Sequence, residues 1–226
     1  MKIISVGGSI VIPKTGFDLD FLKKFRTLIL KEVKKGEKFV IVIGGGATCR
    51  TYQDIARKFG KVTKDDLDWI GIKTTLLNAE LVRVLFDGYS HKTVIINNRE
   101  RVKTKMPIII AGGEKPGHST DMDAMLFAQT YGASEVLNLS NIDFVYTKDP
   151  NKFKDAVKIE NITWKDFRKN VVGYTWDPGK NAPFDPIASG LAEKNKVTVS
   201  ILNGNNLAEV AKALQSKKFT GTKVHP

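Results

Sequence analysis

Six short apolar runs punctuate the chain, and each stops at small or polar residues. Residues 3–6 run into Gly7, Gly8 and Ser9, and Phe39–Ile43 runs into Gly44, Gly45 and Gly46. Residues 93–96 precede Asn97 and Asn98, and 107–111 precede Gly112 and Gly113. Residues 135–139 lead to Ser140 and Asn141, and 197–202 lead to Asn203 and Gly204. Continuous runs of four to six such residues, many of them β-branched, predict strands covered on both faces. Between them the period changes. Phe21, Leu22, Phe25, Leu28 and Ile29 recur at helical spacing and fade near Gly36. Residues 69–85 form a second helical stretch. Residues 121–131 form a third, with Ser119 and Thr120 as caps before it and Gly132 after it. Asp185 and Pro186 open a fourth, with Asp as cap and Pro at the first helical position. Leu207–Leu214 is a fifth. This alternation predicts an α/β chain, a mostly parallel sheet with helices on both faces. Residues 151–183, with Trp164, Tyr174, Trp176 and several Gly and Pro breaks, read as an irregular excursion or small lobe of the same domain.

Composition narrows the picture. The 226 residues are 42% hydrophobic and 27% charged, which argues against a disordered chain. No apolar run approaches the ~18 residues that span a bilayer, and the first apolar run is too short for a signal peptide. Cys49 is the only cysteine, so no internal disulfide and no cysteine-based zinc site can form. The expectation is a soluble, cytoplasmic protein without a membrane partner. The net charge of +12 fits either a polyanion or a small anionic ligand steered into a positive cleft. The lysines are scattered in pairs such as Lys23-Lys24, Lys34-Lys35 and Lys217-Lys218, and no nucleic-acid motif accompanies them. That favours the small anion over nucleic acid.

In open parallel sheets, ligands bind beyond the carboxyl ends of the strands. Three of the predicted strands end in Gly-Gly or Gly-Gly-Gly, where amides can approach an anion with no Cβ in the way. The 112–120 loop, GGEKPGHST, joins a strand to a helix. It comes close to the P-loop spacing, with Gly112, Gly117 and Ser119 in place, but His118 stands where that motif needs lysine. It reads better as a cradle for one phosphate, with Ser119, Thr120 and backbone amides as donors. His118 reads as a polar loop residue or ligand donor rather than a general acid or base. Lys115 reads equally as a phosphate contact or a solvated lysine. Arg50, in the first turn of the helix after Gly44–46, opposes the helix dipole and so invites an anion. In the 140–150 segment, SNIDFVYTKDP, Tyr146 could pack on a base, and Asp143 could orient cationic groups or a hydrated Mg²⁺. Asp143 is equally a turn residue by type.

The segments VGGSI, IGGGATCR, GGEKPGHSTDMDAMLFA and NIDFVYTKDP follow one another in the order of the amino acid kinase superfamily. Within it, the chain resembles the archaeal-type UMP kinases over nearly its full length, including the Asp68-Trp69-Ile70-Gly71, Asn78-Ala79 and Asp185-Pro186-Ile187-Ala188 segments. The resemblance implies a three-layer αβα sandwich in a single 1–226 domain. Residues 1–135 would form the UMP side and 136–226 the ATP side. It implies a homohexamer that moves the γ-phosphate of ATP to UMP with Mg²⁺. Gly7, Gly8, Ser9, Gly46 and Arg50 would face the ATP phosphates, and Ser140, Asn141, Tyr146 and Asp149 would hold the adenosine end. Gly45, Asp68, Glu114, Lys115, Pro116, Gly117, His118, Ser119 and Thr120 would hold UMP. Asp143 would organise the catalytic charges, with no metal ligand assigned in the protein. Lys148 and Lys115 are candidates for the cation that meets the transferred group. Three positions depart from the family pattern. Phe144 stands where the D-G-V-Y pattern has glycine, Thr75-Leu76 stands where a Thr-Arg pair is common, and the lysine found near Ser5 in bacterial members is absent. These departures keep open a different small phosphate or carboxylate acceptor, or a nucleotide-binding relative without activity.

Overall fold

The computed structural model describes residues 1–117, 119–175 and 182–226. The chain runs β1 (Lys2–Val6), α1 (Gly8–Val11), α2 (Leu19–Val33), β2 (Phe39–Ile43), α3 (Gly46–Lys58), α4 (Lys64–Leu85), β3 (Ile108–Ala111), α5 (Thr120–Tyr131) and β4 (Glu135–Ser140). It continues through β5 (Val145–Tyr146), β6 (Lys158–Ile159), β7 (Asn161–Thr163) and α6 (Trp164–Phe167). A π-helical turn over Arg168–Val172 follows, then α7 (Pro186–Asn195), β8 (Thr198–Asn203), α8 (Leu207–Leu214) and β9 (Thr222–His225). Seven strands form one sheet in the order β3-β2-β1-β4-β8-β9-β7, while β5 and β6 form a separate antiparallel ribbon. Every pairing in the large sheet is parallel except β8 with β9.

Period-two alternation sorts the strand residues into two cores. Ile4, Val6, Phe39, Ile41, Ile43, Ile108 and Ile110 pack on one face with Phe25 and Ile29 of α2, Val82 of α4 and Val210 of α8. Ile3, Val40, Val42, Ile109 and Ala111 pack on the other with Met125 and Phe127 of α5, Trp164 of α6 and Ala188 of α7. Both faces of the central strands are therefore buried, which explains their uninterrupted apolar runs. No helix among the described residues is long and apolar enough to cross a membrane.

Two local expectations change. Residues 93–96 do not form a strand; Ile95 makes only an isolated bridge to Ala111 on the outer edge of β3. With no further strand beyond it, the segment gains only a few ladder bonds, such as Ile95 N–H to the Ile110 carbonyl at 2.9 Å. The 151–183 excursion does not stay apart. Its β7 joins the large sheet beside β9, and Trp164 is buried with its indole N–H on the Val197 carbonyl at 2.7 Å. Trp176 lies outside the described residues.

Candidate active site

Parallel strands place their carboxyl ends on one edge, and the glycine turns meet there because β3, β2 and β1 are neighbours. The approach is backbone on backbone. A Cβ built on Gly8 would lie 1.9 Å from the Gly46 nitrogen, and one on Gly44 would lie 2.5 Å from the Gly8 nitrogen. Gly46 also sits at φ +68, a left-handed conformation that favours glycine. Asn78, inside α4, locks this crossing by donating to the Gly44 carbonyl at 2.9 Å and the Gly45 carbonyl at 3.0 Å. Gly45 ends as the N-cap of α3. Arg50 lies in the second turn of that helix, not the first, and its side chain is exposed. Ser9 is half-buried inside α1, immediately after Gly8.

The 112–120 loop is pinned at four places. The Thr75 hydroxyl accepts the Gly113 amide at 2.8 Å, and one Asp68 carboxylate oxygen accepts the Gly117 amide at 2.9 Å. Glu114 pairs with Arg99 at 2.5 Å. The Ser119 hydroxyl donates to Asp185 at 2.6 Å. Ser119 is thus the N-cap of α5 by position, but its side chain does not cap. Asp185 takes it instead, while its other oxygen caps α7 through the amides of Ile187 and Ala188. The α5 N-terminus therefore keeps first-turn amides for an anion in the cradle. Thr120 is the first residue of that helix; Lys115 is exposed and Pro116 half-buried beside it. His118 lies outside the described residues. Thr75 and Leu76 pack directly on the two glycines, with Leu76 Cδ2 only 2.8 Å from a Cβ built on Gly112.

Behind the cradle sit two buried or partly buried carboxyls. Asp121 accepts from Asn138 at 2.6 Å, from Ser5 at 3.3 Å and from the Asp185 amide at 3.2 Å. Burial and the nearby Asp185 charge raise its pKa to about 7, against the pull of those three donors. Asp123 is 1% exposed and accepts from Asn98 at 2.7 Å; burial raises its pKa to about 8.

On the other side of β1 the edge continues into a cavity of about 570 Å³. It is lined by Ser140, Asn141, Phe144, Tyr146 and Asp149, among others. The glycine crossing and the cavity are contiguous: the Gly7 amide bonds to the Leu139 carbonyl at 2.8 Å, and a Cβ on Gly7 would lie 3.8 Å from Ser140 Cα. Phe144 forms part of the wall and leaves the cavity open. Asp143 is exposed at the same edge, with one oxygen held by Asn203 at 2.9 Å. Lys148 pairs with Asp155 at 2.6 Å and lies over the Phe153 ring, whereas Lys115 has no ion pair among the described residues. Sequence reading overlooked Asn203, Thr222, Arg99, Asn98 and the site role of Asp185. All of them act across long sequence separations, and only the Asp-Pro cap signal at Asp185 was local.

The amino acid kinase family model matches residues 1–203. A uridylate kinase of Methanococcus aeolicus is 32% identical over 229 residues, covering 100% of both chains. One from Methanocaldococcus jannaschii is 31% identical, covering 95% of this chain and 96% of its own. Among solved structures, uridylate kinase from Archaeoglobus fulgidus superposes with a TM-score of 0.80 at 26% identity, covering 99% of this chain and 100% of that one. UMP kinase from Bacillus anthracis, at 20% identity and a TM-score of 0.77, shares the fold. With the model matching most of its length and relatives above 30% identity end to end, the chain belongs to the amino acid kinase family.

Proposed function

We propose that the chain is a UMP kinase, moving the γ-phosphate of ATP onto UMP to give UDP and ADP. The observation that carries this reading is one continuous edge. A cavity sized for a nucleotide adjoins a glycine crossing, which adjoins a pinned phosphate cradle. Two anionic groups bound at the two ends would meet over Gly8 and Gly46. The full-length uridylate kinase relatives support the choice of substrates. Within one domain, 1–135 supplies the acceptor cradle and 136–226 supplies the donor cavity.

Phosphoryl transfer asks the protein for positioning and charge neutralisation rather than covalent chemistry. Amides of Gly8, Ser9 and Gly46 face the donor phosphates, with Gly7, whose own amide is held by Leu139, and Arg50 beside them. Ser140, Asn141, Tyr146 and Asp149 hold the adenosine end. Gly45, Asp68 and the 114–120 loop hold UMP. The UMP phosphate is already ionised, so it attacks in line without a general base. Mg²⁺ arrives on the ATP phosphates as part of the substrate and neutralises their charge. An ion carried that way needs one or two protein carboxylates rather than a cage, and the exposed, Asn203-held Asp143 fits that need. Lys115 is the candidate cation left uncommitted.

A coupled ADP-release assay tests the function. UMP should stimulate ADP release well above CMP, AMP or small phosphates; no stimulation by any nucleotide ends the proposal. Asp143→Asn should lower kcat by about tenfold to a hundredfold, the worth of one charge-assisted contact. Its thermal unfolding should stay close to wild type, because the side chain is exposed. The same reading places the enzyme in the cytoplasm as a homohexamer. Tyr52 and Ile55 of α3 and Phe59 at its C-cap support assembly: all three are exposed, Phe59 to 88%. Light scattering should give six times the chain mass, and Phe59→Glu should give a smaller species.

A further inference from the structure

Phe144 is a half-buried ring that joins neither face of the hydrophobic core. It stands instead on the wall of the 570 Å³ cavity, beside Tyr146. Both of its chain neighbours are anchored. Asp143 is held by Asn203, and the Val145 amide donates to the Thr222 hydroxyl at 2.8 Å. Thr222 in turn donates to the Ile159 carbonyl at 2.5 Å, and Val145 pairs with Ile159 in the β5–β6 ribbon. The Lys158 ammonium lies 4.9 Å from the ring centroid and is itself held by Glu160 at 2.8 Å. The ring is therefore fixed on its backbone and on one side by a cation.

A large apolar ring left part-wet at a cavity forgoes the gain of burial until a flat partner covers it. A nucleobase is such a partner, because every base offers a π-face. We propose that Phe144 is the base-stacking platform of the donor cavity, so that binding of the nucleoside triphosphate in this chain depends on an aromatic side chain at position 144. The proposal rests on the reading of that cavity as the ATP site. If the ring instead only seals the β5–β6 ribbon, its loss would alter stability and leave ATP binding alone.

The test compares wild type with Phe144→Ala, Phe144→Leu and Phe144→Tyr. ATP affinity is measured by calorimetry, ATP and UMP KM values by ADP release, and folding by thermal unfolding. Alanine should weaken ATP binding by about tenfold, the usual range for losing one base–aromatic stack. Leucine, which restores bulk without a π-face, should remain several-fold weak. Tyrosine should bind ATP as wild type does, and the UMP KM should be unchanged throughout. ATP affinity in the leucine and alanine variants equal to wild type overturns the platform. Should alanine fail to fold, the leucine–tyrosine contrast carries the same decision. Wild type that binds ATP in an aromatic-dependent way but transfers nothing to UMP supports the platform and overturns the UMP kinase reading. Wild type that phosphorylates UMP with an ATP affinity indifferent to position 144 does the reverse. Wild type that binds no ATP overturns both.

Discussion

Gly8→Ala should reduce UMP-stimulated ADP release by about three orders of magnitude and destabilise the fold. The new Cβ would sit 1.9 Å from the Gly46 nitrogen and 2.6 Å from both Gly46 Cα and the Gly44 carbonyl carbon. All three are backbone atoms, so no side chain can swing aside. The β1 and β2 turns would have to part by more than an ångström. They cannot part freely, because Asn78 ties the Gly44 and Gly45 carbonyls to α4, and Ala47 donates to the Ile12 carbonyl at 3.1 Å. Overpacking against fixed backbone costs about 3 kcal/mol or more. For a chain of this size that is a fall in Tm of about 6–12 °C. Displacing groups that must align two phosphates by about 1 Å costs roughly a hundredfold in rate, and a larger shift costs more. Gly36→Ala separates close approach from conformational preference. Gly36 sits at φ +94 with open space around it, so its replacement should cost about 1–3 kcal/mol of backbone strain and leave activity alone. A Gly8→Ala enzyme with a tenth of wild-type activity would show that the two turns do not need to touch.

The contact between those turns was only partly legible in the sequence. Glycines after residues 3–6 and 39–43 announced strand ends, because a strand buried on both faces must be an unbroken apolar run and must break at a residue that can turn. Helices capped by local residues were equally plain, as with Asp185-Pro186 before α7 and Gly132 after α5, where φ +66 matches a left-handed cap. Long-range polar pairings were not. Ser119 looked like a helix cap, yet its hydroxyl reaches Asp185, 66 positions away, and nothing within either segment specifies that partner. Thr222 belongs to no run or motif that stood out in the sequence, yet it holds Val145 across 77 positions. Residues 93–96 looked like a strand because four apolar or β-branched residues fit the pattern, but an outer-edge segment lacks the second partner that would complete its ladder. Local chemistry thus marked where the site is. Which hydroxyl meets which carboxylate depended on the order of strands in the sheet.

Those long-range pairings lead to the second large expectation, that the protein loses stability as pH rises from 6 to 8.5. Asp123 is buried beneath the cradle, and burial raises its pKa from 3.8 to about 8. Between those two values the folded chain holds a proton that the unfolded chain has released. Stability therefore falls as pH increases across that window, by at most about 1.4 kcal/mol per unit, and levels off only above the folded value. From pH 6 to 8.5 this amounts to about 2–3 kcal/mol. Asp121, raised to about 7, acts with the same sign. Carboxylates whose pKa is lowered, such as Glu32 beside Lys35 and Gln215, are already ionised at pH 6 and stay level over this range. Chemical denaturation at pH 6, 7, 8 and 8.5 gives the slope. Asp123→Asn, neutral at every pH and close in shape, should remove most of it, leaving the smaller share of Asp121. A wild-type profile that is flat or rises with pH would mean that Asp123 is ionised in the fold. The Asn98 amide and the nearby Arg99 charge would then help to hold the carboxylate.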